Sequence, residues 1–118
     1  MQISDLENYG FNTAEGLELC VDDEEIYMEV LETALEEGKE KIPFIDELMK
    51  NKNYDRYIIE VHGLKNAAKQ IGCDKLSEMA KDSELSGKAG KFDYIESKHE
   101  ELMDEYRRVV AVMSRLFE

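Results

Sequence analysis

His62 is followed by Lys65, Asn66 and Lys69, so one imidazole has an ammonium group one helical turn on and another two turns on, in a chain of net charge −13. On an α-helix each residue advances about 100°, which puts Lys69 within about 20° of His62, Asn66 about 40° to one side and Lys65 about 60° to the other. Taking Val61 as the centre of the apolar stripe, His62 lies at the stripe's edge. A histidine there can anchor one ring nitrogen against the protein while the other faces solvent, as a histidine nucleophile requires. Imidazole offers its neutral, nucleophilic form near neutral pH, and adjacent lysines stabilise charge on an anion attached to it. The chemistry these residues suit is the carrying of a phosphoryl group.

Charge elsewhere agrees. Between His62 and Lys91 stand six lysines and four acids, so the acidity of the chain is concentrated outside this stretch. Such asymmetry gives one face a relatively positive field, suited to a partner bearing carboxylates or a phosphoryl group. The other histidine, His99, lies on an apolar stripe without a neighbouring Leu-Lys pair and reads as a core or helix-contact residue; Tyr106 and the methionines read as core material. Glu96 and His99 have the Glu-x-x-His spacing that di-iron bundles use. That makes a metal-binding bundle the alternative to weigh, but such sites need a second pair, and Glu60 precedes His62 by only two residues. No metal ligand set is therefore expected. Cys20 and Cys73 are far apart and outside any metal-type spacing, so they read as small apolar side chains.

The elements that must position His62 are helical. The chain has 118 residues, 42% of them hydrophobic, and one proline, with glycines falling between segments of helical period and almost no strand signal. Residues 1–21 form an N-terminal arm with short helical turns at Ser4 to Asn8 and Thr13 to Leu19. Residues 22–118 form the bundle. Asp22, with Glu25 three residues on, is expected to cap a first long helix whose stripe is Ile26, Tyr27, Val30, Leu31, Ala34 and Leu35, opposite a solvated glutamate face. Gly38 is expected to bend or end it, and a second helix to run from Lys41 to Met49 with Pro43 in its first turn. The third carries Tyr54, Tyr57, Ile58, Val61, Leu64, Ala68 and Ile71 and leaves through a left-handed Gly72. Asp74 is expected to cap the fourth, which has a thin face (Leu76, Met79, Ala80, Ser83) and runs out at Ser86 to Gly90. The last extends from Phe92 to Phe117. Short loops favour antiparallel neighbours, so the fold class is all-α, an up-and-down antiparallel four-helix bundle with a helical arm across one end.

Composition excludes other functions. A net charge of −13 argues against sequence-independent binding to nucleic acid or anionic lipid. No apolar run approaches a membrane span and Met1 to Asp5 have no signal-peptide character, so a cytoplasmic protein is expected. There is no GxxxxGK[ST] loop, and autonomous ATP-dependent kinase activity is not expected. A monomer is expected because the helices can bury their stripes against one another, and the positions of Met1 and the last stripe lead us to expect a free-standing chain.

The run His62-Gly63-Leu64-Lys65-Asn66-Ala67-Ala68-Lys69-Gln70-Ile71-Gly72 closely resembles the histidine-containing phosphotransfer (HPt) domain, with its His-x-Leu-Lys-Gly, small residues, and a glycine ten positions after the histidine. His62, Leu64, Lys65, Ala67, Ala68 and Gly72 fit that pattern. Leu76, Ala80, Glu84, Ala89 and Gly90 fall where the family places similar residues, as does the lead-in from Gly10 to Leu31. Two positions depart from it: Ser83 stands where a leucine is usual, and Asn66 where a glycine is. The resemblance implies a phosphorelay carrier that accepts phosphate on His62 Nε2 from the aspartyl phosphate of a response-regulator receiver domain, as in a hybrid sensor kinase, and passes it to another. It implies that Nδ1 is held by an acceptor on a neighbouring helix, that Lys65 stabilises the phosphoryl group with Lys69 as a secondary contact, and that Gly63, Asn66 and Ala67 meet the partner. Asn66 would either narrow partner access or hydrogen-bond the phosphoryl group. No cofactor is expected on this chain; the receiver would bring Mg2+. A receiver-binding adaptor that transfers nothing is the other reading.

Overall fold

The computed structural model describes residues 1–118. A 3₁₀ helix, Ile3–Tyr9, and a short helix, α1 (Thr13–Leu19), precede four longer helices: α2 (Glu24–Lys50), α3 (Tyr54–Gln70), α4 (Asp74–Lys88) and α5 (Phe92–Leu116). Three-residue turns join the long helices, and each packs on two others, α2 on α3 and α5, and α4 on α3 and α5. They form a closed antiparallel bundle. At about 1.5 Å per residue, the 27 residues of α2 match the 40 Å long axis of the molecule.

The first long helix differs from expectation at both ends and in the middle. Asp23, not Asp22, is its N-cap: the Asp23 Oδ1 accepts from the amides of Glu25 at 2.9 Å and Ile26 at 3.3 Å, while Asp22 adopts a left-handed φ of 57° in the turn before it. Gly38 neither bends nor ends it. The helix continues through Pro43 to Lys50, and Gly38 is buried against α5, where a Cβ would lie 2.5 Å from Val110 Cγ2. The two expected helices are one. Its buried stripe is Tyr27, Leu31, Leu35, Gly38, Ile45 and Leu48, and Ile26 is left exposed.

The fourth helix also runs further than expected. Cys73 occupies its N-cap position and Asp74 is its first residue, and the helix passes through Gly87 to end at Lys88. Gly87 is buried, since a Cβ on it would stand 2.6 Å from Ile58 Cγ1 of α3. The thin apolar face is completed by polar side chains with partners across the bundle. Ser77 Oγ donates to the Lys65 carbonyl at 2.9 Å, and the buried Glu84 is described with the site below. Asn53 caps α3 through the Arg56 amide, and α5 buries Ile95, His99, Leu102, Met103, Tyr106, Val109, Val112 and Met113, with Phe92, Val110 and Leu116 half-buried against the core.

The N-terminal arm covers the end of the bundle where α3 turns into α4. Gly72 leaves α3 with φ +82°, its carbonyl accepts from the Asn12 amide at 2.8 Å, and a side chain on it would run into the Asn12 carbonyl. Tyr27 Oη donates to the Ile71 carbonyl at 2.9 Å, Arg108 Nη1 to the Tyr9 carbonyl at 2.8 Å, and Leu6 and Phe11 close the core. Cys20 and Cys73 are buried free thiols, as read from their spacing, and burial pushes the Cys73 thiol well above its ordinary range. No helix is long and apolar enough to cross a membrane.

Candidate phosphoacceptor site

His62 projects from the middle of α3 with 52% of its side chain exposed. Its Nδ1 lies 2.5 Å from Glu84 Oε2 on the facing turn of α4. A carboxylate at that distance can only accept, so the ring proton is assigned to Nδ1 and the lone pair to Nε2, which faces outward. Glu84 is the acceptor that helical periodicity could not identify. It is 2% exposed and shared: Lys65 Nζ donates to its Oε1 at 2.7 Å, and Lys88 Nζ pairs with its Oε2 at 3.0 Å. Burial on its own would raise the Glu84 pKa, but the bonds from Lys65, Lys88 and His62 outweigh it and hold the pKa near 2. The carboxylate is therefore charged at neutral pH.

The other residues singled out by spacing separate into two groups. Lys65 is within 3.5 Å of His62 Nδ1 and Asn66 Nδ2 within 3.4 Å of His62 Nε2, so both adjoin the ring. Gly63 faces open space, with nothing within 4 Å of where a Cβ would stand, and with Ile59 and Ala67 it borders a groove between α3 and α2 beside His62. Lys69 shares the helix face but is drawn the other way. Its Nζ lies 2.6 Å from Glu15 of α1 and 3.3 Å from Asp74 of α4, and those two carboxylates raise its pKa, Glu15 most. Ile59, more than half exposed, borders the same groove as the imidazole, and Leu85, also more than half exposed, follows Glu84 on α4.

Sequence reasoning missed Lys88. Its signal was the spacing of four from Glu84, the separation at which a glutamate and a following lysine meet on one helix. Glu84 itself was noted only as matching a family position. Its alignment with His62 depends on how α3 and α4 sit against each other, which the buried Gly87 and the Ser77 bond set.

His99 is the core residue its stripe indicated. It is buried, its Nδ1 2.9 Å from Tyr57 Oη and its Nε2 2.8 Å from Asp46 Oδ1, with Arg107 on the other Asp46 oxygen at 2.6 Å. Glu96 does not join it; that carboxylate is bonded by Tyr54 Oη and approached by Lys52. The Glu-x-x-His spacing is thus divided between two unrelated interactions.

No family model and no curated protein matches the chain. Among solved structures, the HPt domain from the Hpt sensor hybrid histidine kinase of Shewanella is similar, with a TM-score of 0.83 at 18% identity over 91% of this chain and 92% of that one. At that identity the likeness is one of architecture: this chain has the helical-bundle fold of a histidine-containing phosphotransfer domain.

Proposed function

We propose that the protein is a histidine phosphotransfer carrier of a two-component phosphorelay, accepting a phosphoryl group on His62 from the aspartyl phosphate of a receiver domain and passing it to another regulator. The observation that carries this reading is the His62–Glu84 pair. One ring nitrogen is bound to a buried carboxylate, and the other belongs to a half-exposed ring at the centre of α3. Catalytic geometry of this kind fixes tautomer and ring orientation before the partner arrives.

In the forward step the Nε2 lone pair attacks phosphorus, a P–Nε2 bond forms, and the P–O bond to the aspartate breaks with its electron pair returning to the carboxylate. The ring then carries hydrogen on Nδ1 and phosphorus on Nε2 and is formally cationic. Glu84, already ionised, compensates that charge without a proton transfer. Lys65 and Lys88 keep Glu84 charged and place a positive field beside the incoming phosphoryl oxygens. The exposed Ile59, in the groove that His62 borders, gives the partner an apolar contact beside the imidazole. Mg2+ and the electrophilic chemistry belong to the receiver.

The test is incubation with a phosphorylated receiver domain. His62 should acquire label that is acid-labile and alkali-stable; His62→Gln should abolish it and His99→Gln should leave it in place. Label persisting in His62→Gln would overturn the assignment. A receiver-binding adaptor without transfer is the second reading, and the Asn66 amide beside Nε2 favours it. Stable binding of the receiver with no label on His62 would establish that reading instead.

A further inference from the structure

The three lysines described at the site are each engaged by carboxylates. Lys65 and Lys88 are held by Glu84, and Lys69 by Glu15 and Asp74. Asn66 is not. It is exposed on α3, one turn beyond His62, and its side chain makes no bond to another helix or to the backbone; the one polar group it meets is His62 Nε2 at 3.4 Å. An asparagine inside a helix is less favourable than alanine, so its presence needs another reason than helix stability. With the Nδ1 proton committed to Glu84, Nε2 is an acceptor, and the Asn66 group turned toward it is assigned as the NH2 donor.

We propose that Asn66 is the positioning residue that retains the phosphoryl group, donating from its amide to a phosphoryl oxygen of phospho-His62 and lengthening the life of the P–N bond. The inference rests on His62 being the phosphoacceptor. When that bond forms, Nε2 loses its lone pair and the Asn66 NH2 loses its acceptor. The nearest replacement is an oxygen on the phosphorus just attached, within the ordinary hydrogen-bond reach of about 2.9 Å after a small side-chain rotation. Hydrolysis adds water oxygen to phosphorus and breaks P–Nε2, returning the electron pair to Nε2 while both water protons leave with dihydrogen phosphate. That transition state is loose and metaphosphate-like, with less charge on the outer oxygens than the ground-state group has. A donor to those oxygens therefore favours the phosphorylated state over the transition state. The residue tunes this chain toward holding phosphate.

The experiment uses phosphoramidate as donor, so no relay partner is involved: Nε2 attacks its phosphorus and ammonia leaves. Intact mass is then followed at neutral pH. Asn66→Ala, with helicity checked by circular dichroism, should shorten the phosphohistidine half-life about fivefold, the effect of one charge-assisted hydrogen bond at a partly exposed site. Asn66→Asp should shorten it further, through repulsion between carboxylate and phosphoryl group. In the unsubstituted protein the Asn66 side-chain NH2 resonances should move on labelling, which a purely structural asparagine would not do. An equal or longer half-life in Asn66→Ala overturns the proposal and leaves His62 as acceptor untouched. Absence of label on His62 overturns both.

Discussion

At the scale of single residues, much of the site turns on Glu84, a carboxylate with three partners and almost no solvent contact. Its folded pKa near 2 lies below the ordinary glutamate value of 4.5. A depressed folded pKa contributes stability that is fully present above the unfolded value and is lost as pH falls through the folded one. Unfolding free energy from urea titrations should therefore decline between pH 4.5 and about 2, and Glu84→Gln should flatten that limb. The same variant should slow transfer to His62 by about tenfold or more, since a neutral amide compensates the cationic ring poorly. Unchanged transfer would remove Glu84 from the mechanism. The helical period was enough to place His62 at a stripe edge with its side chain outward, because that depends only on α3. It misdirected Lys69, whose ammonium is claimed by Glu15 on the arm, a residue 54 positions earlier that no periodicity relates to it.

At the scale of elements, small residues set how closely helices approach. Gly38 lets α5 close on α2, and Gly87 lets α4 close on α3. In the sequence both looked like punctuation, since a glycine that ends a helix and one that admits a neighbour are written alike. Only the partner face distinguishes them, and that face belongs to another segment. Pro43 strengthened the wrong reading because a proline suits a first turn, yet here it lies well inside α2. The apolar stripes of α3 and α5 were legible apart from the buried Glu60, Met103, Glu105 and Val112; that of α4 was short because Ser77 and Glu84 are buried in it. Gly87→Val should wedge α3 from α4 at Ile58, costing about 1–3 kcal/mol in urea melts. It should reduce transfer by more than the lost folded fraction, because His62 and Glu84 sit on opposite sides of that contact. Activity tracking stability alone would show that their alignment tolerates displacement.

Across the whole molecule the antiparallel bundle was legible from short loops and amphipathic patterns, although the pattern of α2 read as two helices. The seating of the arm was not. Its anchors are the backbone bond from Asn12 to Gly72 and the Arg108 bond to Tyr9, and main-chain groups leave no compositional trace. The net charge of −13 includes a row of carboxylates on one face of α2, Glu29, Glu32, Glu36, Glu37 and Glu40, of which only Glu36 has a lysine partner. Repulsion along that row opposes folding and is screened by salt. Thermal midpoints should rise by several degrees between about 20 mM and 500 mM sodium chloride. A fall would mean that the surface ion pairs outweigh the repulsion.

The two histidines divide the protein between them: His62 half in water, and His99 enclosed by Tyr57 and Asp46. With no third imidazole in the chain, a long-range proton–nitrogen NMR spectrum of the rings contains two patterns and needs no assignment campaign. On the proposed function, the His62 pattern would report in real time whether phosphorus is attached. The other, fixed in the interior, serves as an internal gauge that the fold is intact while it happens.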